Sequence, residues 1–292
     1  MFDFFAYTFG YVLNFIYNII NNYGVAIILF TIFVKLLLLP ISIKQQRTMK
    51  KSAKLQEQIK TLQFKYKNDQ QKMNQEMMNL YKSENMSPFS GCLSAIVQII
   101  LLLSVFYLVR SPLTFMKQVP KETIEEYTKQ IQEEGKVQNS AYPEIDIIRE
   151  KGPENEQVKI NMDFLGLDLS QIPNQNMEDF RVYIIPVLYI ISSVISMRIT
   201  TSMQKKQNEK KKDAVIDITE KKEGEEDKEK EKEEEAPDMA MQTSKTMSWL
   251  IPIMAISIAF VAPLGLALYW LVNNILMIVE RIALNKFLKE EE

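Results

Sequence analysis

One ammonium group lies in the middle of an apolar stretch, Phe30 to Ile43, which reads FTIFVKLLLLPISI. It belongs to Lys35, and a charge at the centre of a membrane span costs about 2.5–3.5 kcal/mol on insertion scales. Charged residues at such positions usually face a bundle interior or a water-filled cavity, so Lys35 is the first candidate functional residue. The alternative is snorkelling, in which the flexible stem lifts the ammonium a short way towards the headgroups.

Other polar side chains lie at a similar depth in the later apolar stretches. At 1.5 Å per residue, Lys35 lies about 13 Å from the cytoplasmic end of its span, and the others lie within about 15 Å of that end. They are Ser94, Gln98, Ser192, Ser193, Ser196, Ser257, Asn273 and Asn274. Hydrogen bonding between helices is the alternative for any one of them. Their shared depth favours a hydrophilic groove open to the cytoplasm, with Lys35 as its only deep charge and no carboxylate at that depth to neutralise it.

Composition excludes several kinds of active site. The chain has no histidine and a single cysteine, so a His-based triad, a Cys/His metal cluster and an internal disulfide are all excluded. No Walker-type glycine loop is present, and an acid-pair protease would need paired intramembrane carboxylates. We therefore expect no catalytic residue, no metal, no cofactor and no recognition of nucleic acid.

The elements that must position these residues are helices long enough to cross a bilayer. Apolar runs of about 16 to 21 residues approach or match the roughly 30 Å hydrocarbon core. The predicted transmembrane spans are 23–43, 89–110, 181–199, 247–262 and 263–284, with a tight turn at Pro263-Leu264-Gly265 before the last one. The predicted fold class is an all-α polytopic membrane protein whose five helices enclose the cytoplasm-open groove.

Two polar or amphipathic segments flank the first span. Residues 1–22 repeat apolar side chains at three- and four-residue steps, which is typical of an interfacial helix on the extracellular side. The alternative is a longer first span, but Asn21, Asn22 and Gly24 favour a break. Residues 44–88 carry ten Lys/Arg against four Asp/Glu, and their two helical periods flank Lys67-Asn68-Asp69. They predict a basic helical hairpin rather than a solvated linker.

The remaining segments set the expected orientation. Residues 111–180 carry seven Lys/Arg against fourteen Asp/Glu and include the helix-like stretch KETIEEYTKQIQEE, while 200–246 is a mixed-charge segment expected to be disordered. The positive-inside rule places the 44–88 hairpin in the cytoplasm and the acidic loop outside. The N-terminus is then extracellular and the tail 285–292 cytoplasmic. MFDFFAYTFG has no basic region, so a secretory signal peptide is not expected.

Several ordered motifs resemble the YidC/Oxa/Alb family of membrane protein insertases. FVKLLLLPISIKQQRTMKKSAKLQ resembles the family's first core span, NMSPFSGCLSAIVQIILLLSVFYLV its second, and NMDFLGLDLS with IIPVLYIISSVISM its approach to the third. MSWLIPIMAISIAFVAPLGLALYWLVNNILMIVER resembles its closing pair. The motif residues are Pro88, Gly91, Cys92, Pro263, Gly265, Tyr269 and Trp270.

The resemblance implies a non-enzymatic insertase and chaperone whose groove takes up polar or acidic parts of nascent membrane proteins. The hairpin would then meet the ribosome, targeting factors or the Sec translocon. Three residues depart from the family pattern: Lys35 replaces the usual arginine, Leu264 a small residue, and Glu280 lies near a typical glutamine. Lysine keeps the charge but lacks the planar fork. By analogy, the absence of a large external domain and a signal-like first span suggests a Gram-positive-like member in the bacterial plasma membrane.

A transporter of small solutes or ions is the alternative function, with Lys35 as its binding charge. Transporters often contain inverted repeats and helices broken by glycine or proline near the midplane. The sequence shows no internal repeat, and the glycines of the first three spans, Gly24 and Gly91, lie at span ends. The pattern therefore favours the insertase.

Overall fold

Long helices dominate the computed structural model, which describes residues 2–66, 69–84, 90–136, 140–199, 202 and 258–290. The chain divides into two compact units. The first consists of Met1–Ser170 with Val279–Glu292, and the second of Gln171–Ile278. Pro88, Ser257 and almost all of the charged segment 200–246 lie outside the described residues.

The first two helices meet at the break that the paired asparagines predict. Helix α1 spans Phe2–Ile20 and helix α2 spans Tyr23–Lys65. Asn21 adopts the left-handed conformation, with φ of 52°. Asn22 is the N-cap of α2 and accepts a 3.0 Å hydrogen bond from the Val25 N–H. Asparagine tolerates the left-handed region and caps helices well, which explains why the helix direction changes here.

Helix α2 continues well past the apolar stretch. It contains Pro40 and ends at Lys65, so one helix of 43 residues covers the first span and the first arm of the hairpin segment. Helix α3 spans Gln70–Ser83, and the Asp69 carboxylate caps it by accepting a 2.9 Å hydrogen bond from the Lys72 N–H. Helix α2 thus ends before, and α3 begins after, the predicted turn, of which Lys67 and Asn68 lie outside the described residues.

Helix α4, Ser90–Arg110, leads into a short helix α5, Pro112–Phe115. Both pack against α1, which also packs against α2. A Cβ atom at Gly10 would lie 1.9 Å from the Phe115 carbonyl oxygen, so this close approach of α1 to α5 requires glycine. Apolar side chains cover two sides of α1: one side is buried at Leu13 and Tyr17, and aromatic residues such as Phe15 remain exposed on the other.

The acidic segment after α4 contains regular structure of its own. Helix α6 spans Lys121–Glu133, within the helix-like stretch read from the sequence, and helix α7 spans Pro143–Lys151. The strands β1, Asp163–Phe164, and β2, Leu167–Asp168, form an antiparallel hairpin. Its turn residues Leu165 and Gly166 have positive φ. The chain before the hairpin is fastened to the start of α2, because the Tyr23 N–H donates to the Asn161 carbonyl at 3.0 Å.

The second unit contains 3₁₀ turns at Pro173–Gln175 and Phe180–Tyr183, followed by helix α8 over 184–199. Residues 258–261 are helical, and helix α9 spans Leu264–Glu290, its last residues belonging to the first unit. The Pro263 carbonyl accepts hydrogen bonds from Leu266 and Ala267, and the Leu264 N–H donates to Gln171 at 2.9 Å. These bonds build the turn that the Pro-Leu-Gly sequence predicts.

Three helical stretches in the described part of the chain are long and apolar enough to cross a membrane. They are Tyr23–Thr48, Phe180–Ile199 and Leu264–Phe287, while the described apolar part of α4, Ile99–Arg110, is shorter. The structure therefore agrees with an all-α, multi-pass membrane protein.

Candidate functional site

The charged residue that the sequence singles out forms an ion pair within the first unit. Lys35 Nζ on α2 lies 3.3 Å from Glu280 Oε2 on α9. The side chain of Lys35 is 26% exposed and that of Glu280 is 15% exposed, so both are partly accessible. The expectation that no carboxylate neutralises Lys35 is therefore wrong. Counting from the sequence put Glu280 near the end of the last span, whereas α9 continues to Glu290 and carries Glu280 within regular helix.

The geometry of this pair leaves much of its bonding capacity unused. An ammonium has three donors and a carboxylate about four acceptor positions. Within the described residues, the contact found for Lys35 and Glu280 is this single one, and its 3.3 Å length is slightly beyond the usual N–H···O range. Both groups can therefore bind water or another polar partner while the pair is formed.

Exposed apolar side chains flank the ion pair on both helices. Leu36 and Leu37 follow the lysine on α2, and Val279 and Ile282 lie beside the glutamate on α9. All four are exposed. In a bilayer such side chains contact lipid tails, which places a polar pair next to an apolar surface.

Polar residues of the second unit form a hydrogen-bonded cluster between α8 and α9. The Asn274 amide nitrogen donates to the Ser192 and Ser193 hydroxyl oxygens, both at 3.0 Å. The Ser192 hydroxyl in turn donates to the Tyr189 carbonyl at 2.8 Å. Asn274 and Ser192 are buried. These bonds are the helix–helix alternative raised for these residues, and their contact with any other molecule is a separate proposal.

The structure accounts unevenly for the other predicted residues. Ser196 is buried and Asn273 is half-buried, and the Trp270 ring packs 6.0 Å from the Tyr189 ring, centre to centre. Pro263, Gly265 and Tyr269 are buried around the start of α9. Gly91, Cys92, Ser94 and Gln98 lie on the helical backbone of α4, but their side chains are outside the described set.

A second cluster of hydrogen bonds surrounds Glu144, which lies on α7 in the acidic segment after α4. Its carboxylate accepts from the Leu113 N–H at 2.8 Å, the Thr114 N–H at 3.0 Å and the Thr114 hydroxyl at 2.6 Å. Burial raises the pKa of Glu144, and these hydrogen bonds partly oppose the rise. The carboxylate thus ties α7 to α5. Among the described residues, no group of three Cys, Asp or Glu side chains could hold a metal ion.

Comparison with known proteins identifies the family. The family model of the 60Kd inner membrane protein, which represents the YidC/Oxa/Alb proteins, matches residues 15–291. The chain belongs to this family. The resemblance read from the sequence motifs is thereby confirmed.

The curated relatives include proteins named membrane protein insertase YidC. The one from Caldanaerobacter subterraneus subsp. tengcongensis is 43% identical over 102 residues, which are 35% of this chain and 50% of the relative. The one from Francisella tularensis subsp. novicida is 42% identical over 107 residues, which are 37% of this chain and 19% of the relative. The chain thus spans half or less of the length of these two relatives.

Glu280 is the site residue that sequence reasoning missed. A signal for it was present, because Glu280 follows Asn273 by seven residues, or about two helical turns. Residues at that spacing share one face of a helix, so the polar face of α9 extends to Glu280. Counting depth span by span hid this regularity.

Proposed function

We propose that this chain is a membrane protein insertase and chaperone, whose clients are nascent membrane proteins. The observation that carries the proposal is the partly exposed ammonium of Lys35 on a membrane-spanning helix of a chain that belongs to the YidC/Oxa/Alb family. An ionisable residue inside a span is by default a functional residue, because its placement is costly. Here it serves to attract the client's carboxylates.

The proposal includes five transmembrane helices around a groove open to the cytoplasm. The groove residues are Lys35, Ser94, Gln98, Ser192, Ser193, Ser196, Ser257, Asn273 and Asn274. Support comes from the similar depth of these polar residues in the sequence. Hydroxyl and amide groups replace water around the client's polar segment, which lowers the penalty for moving it through the membrane. The client's apolar segment then moves sideways into lipid.

The proposed orientation follows from the distribution of basic residues. The hairpin 44–88 and the tail 285–292 lie in the bacterial cytoplasm, and α1 and the acidic segment 111–180 lie outside. Helix α3 packs against α2 and keeps one face exposed, which includes Lys72, so that face is open to partners. We assign the hairpin to contacts with the ribosome, targeting factors or the Sec translocon.

Reconstitution tests the proposal. The purified chain is placed in liposomes, and insertion of a single-span client with an acidic tail is scored by protection of the tail from protease. We expect insertion above that of empty liposomes, and a loss of about tenfold with Lys35→Glu, because the carboxylates are then repelled. Lys44→Glu is the matched control, since it makes the same charge change nine residues further along α2 at an exposed position.

The controls separate a failed fold from a failed function. Each variant is first checked for a cooperative thermal unfolding transition in detergent, because Lys35→Glu also places a carboxylate beside Glu280 and is expected to lower the melting temperature. Insertion by Lys35→Glu that equals wild type would overturn the role of Lys35. Equal protection in empty and loaded liposomes would overturn the insertase itself.

A further inference from the structure

The ion pair implies that Lys35 already has a carboxylate partner when a client arrives. We propose that Glu280 is a specificity-determining residue: it holds Lys35 in the resting protein, and a client binds by exchanging its own carboxylate for that of Glu280. This inference rests on the proposed insertase function. It adds a requirement on the client, which must compete with an internal carboxylate.

The contact has the features of an exchangeable pair. One Glu280 oxygen reaches the Lys35 nitrogen at 3.3 Å, and both side chains are partly exposed. The Asp146–Arg149 pair of the same unit shows the contrast, since its oxygen and nitrogen lie 2.7 Å apart and the Asp146 side chain is only 3% exposed. Lysine also binds as a point charge, without the two-pronged grip of arginine. An incoming carboxylate can therefore reach Lys35 without unpacking either helix.

Charge balance gives the exchange its consequence. The resting pair is neutral, so it is easier to maintain in a membrane than a lone ammonium would be. When one client carboxylate takes the place of Glu280, the displaced carboxylate keeps the neighbouring charge of Arg281 and needs water or a donor from the client to complete its hydrogen bonds. A tail with several carboxylates competes better, because each one raises the local concentration of competitors around Lys35. Glu280 thus sets a threshold on how acidic a tail must be.

Removing the internal competitor tests this threshold. Clients that share one apolar segment carry tails with zero, one, two or three aspartates, and each is offered to reconstituted wild type, Glu280→Gln and Glu280→Asp. In wild type, insertion is expected to rise steeply with the number of aspartates. In Glu280→Gln, the one-aspartate client should already insert at least about threefold better, and the dependence should flatten. Glu280→Asp keeps a carboxylate and should keep the dependence.

The outcomes distinguish this inference from the function on which it rests. If Glu280→Gln shows the wild-type dependence while Lys35→Glu blocks acidic clients, the exchange is wrong and the insertase stands. If Lys35→Glu inserts every client normally, the proposed role of Lys35 fails first. A merely structural role of Glu280 would lower the insertion of all clients by the same factor, and that result also overturns the exchange.

A measurement on the wild-type protein avoids the dependence on variants. Carboxyl labelling with a water-soluble carbodiimide and an amine, read by mass spectrometry, reports how accessible Glu280 is. We expect its labelling to rise when a three-aspartate client is bound and to stay at the resting level with a zero-aspartate client. Equal labelling with both clients would overturn the exchange.

Discussion

Two glutamates of the first unit, Glu144 and Glu280, show how differently the same type of side chain can be used. Glu144 is 6% exposed and accepts three hydrogen bonds, two of them from backbone N–H groups. Glu280 makes one 3.3 Å contact with Lys35 and is more accessible. The Glu144 carboxylate uses its hydrogen-bonding capacity within the fold, whereas the Glu280 carboxylate keeps unused acceptor positions. Burial alone therefore does not mark a functional acid, and the carboxylate with unused bonding capacity beside a costly charge is the better candidate.

The largest expected effect on stability comes from Glu144→Ala. Two buried backbone N–H groups at Leu113 and Thr114 lose their acceptor, which should lower the free energy of unfolding by about 2–4 kcal/mol. Thermal unfolding of the purified protein in detergent measures the loss. Glu156→Ala, at an exposed position, is the control and should change little, while Glu280→Ala should cost less than Glu144→Ala. The comparison fails if the two substitutions at Glu144 and Glu280 cost the same.

The tight backbone contact between α1 and α5 gives the next largest effect on stability. Gly10→Ala would place a methyl group against the Phe115 carbonyl, so α1 and α5 must separate, at a cost of about 1–3 kcal/mol. Gly24→Ala is the matched variant, because there the added atom meets the Phe164 side chain rather than a backbone group. Thermal unfolding should rank Gly10→Ala as the more damaging of the two. The reverse order would show that α1 and α5 are not held this closely.

The smallest effect is a dependence of stability on pH that belongs to Glu144. Because its folded pKa lies above the ordinary value, the native protein holds a proton over a pH range in which the unfolded chain has released it. The stability from this group is fully present below the unfolded pKa and is lost as pH rises through the folded pKa. Glu144→Gln should flatten this part of the curve in denaturant titrations that start near the ordinary glutamate pKa of about 4.3 and proceed upward. An unchanged slope would contradict the raised pKa.

The sequence predicted the helical elements where local chemistry decides them. The asparagine pair at 21 and 22 both permits the left-handed turn and caps α2, so the break could be read directly. The Pro263-Leu264-Gly265 turn was equally readable, because proline cannot continue a helix hydrogen-bond ladder and begins a new helix well. The length of α2 was harder to predict, because the hydropathy of the chain changes near residue 44 while the helical hydrogen bonding continues to Lys65.

The side-chain contacts of the site could not be predicted from the sequence and are seen only in the structure. Lys35 was found because a charge in an apolar stretch is rare, but its partner is 245 residues away and no local pattern pairs them. For Ser192, Ser193 and Asn274, composition could not separate a groove from a helix–helix bond, and the observed hydrogen bonds supply that second reading. Glu144 was missed because capping a neighbouring helix leaves no sequence signature at such a distance.

The most direct test of the account asks whether the charge at position 35 recognises the charge of the client. Two clients with the same apolar segment, one with an aspartate tail and one with a lysine tail, are inserted by reconstituted wild type and Lys35→Glu. The measured quantity is the ratio of aspartate-tail to lysine-tail insertion. The account predicts that this ratio falls by about tenfold in Lys35→Glu, because attraction becomes repulsion. A ratio that is the same in both proteins, each folded and reconstituted to the same level, would contradict it.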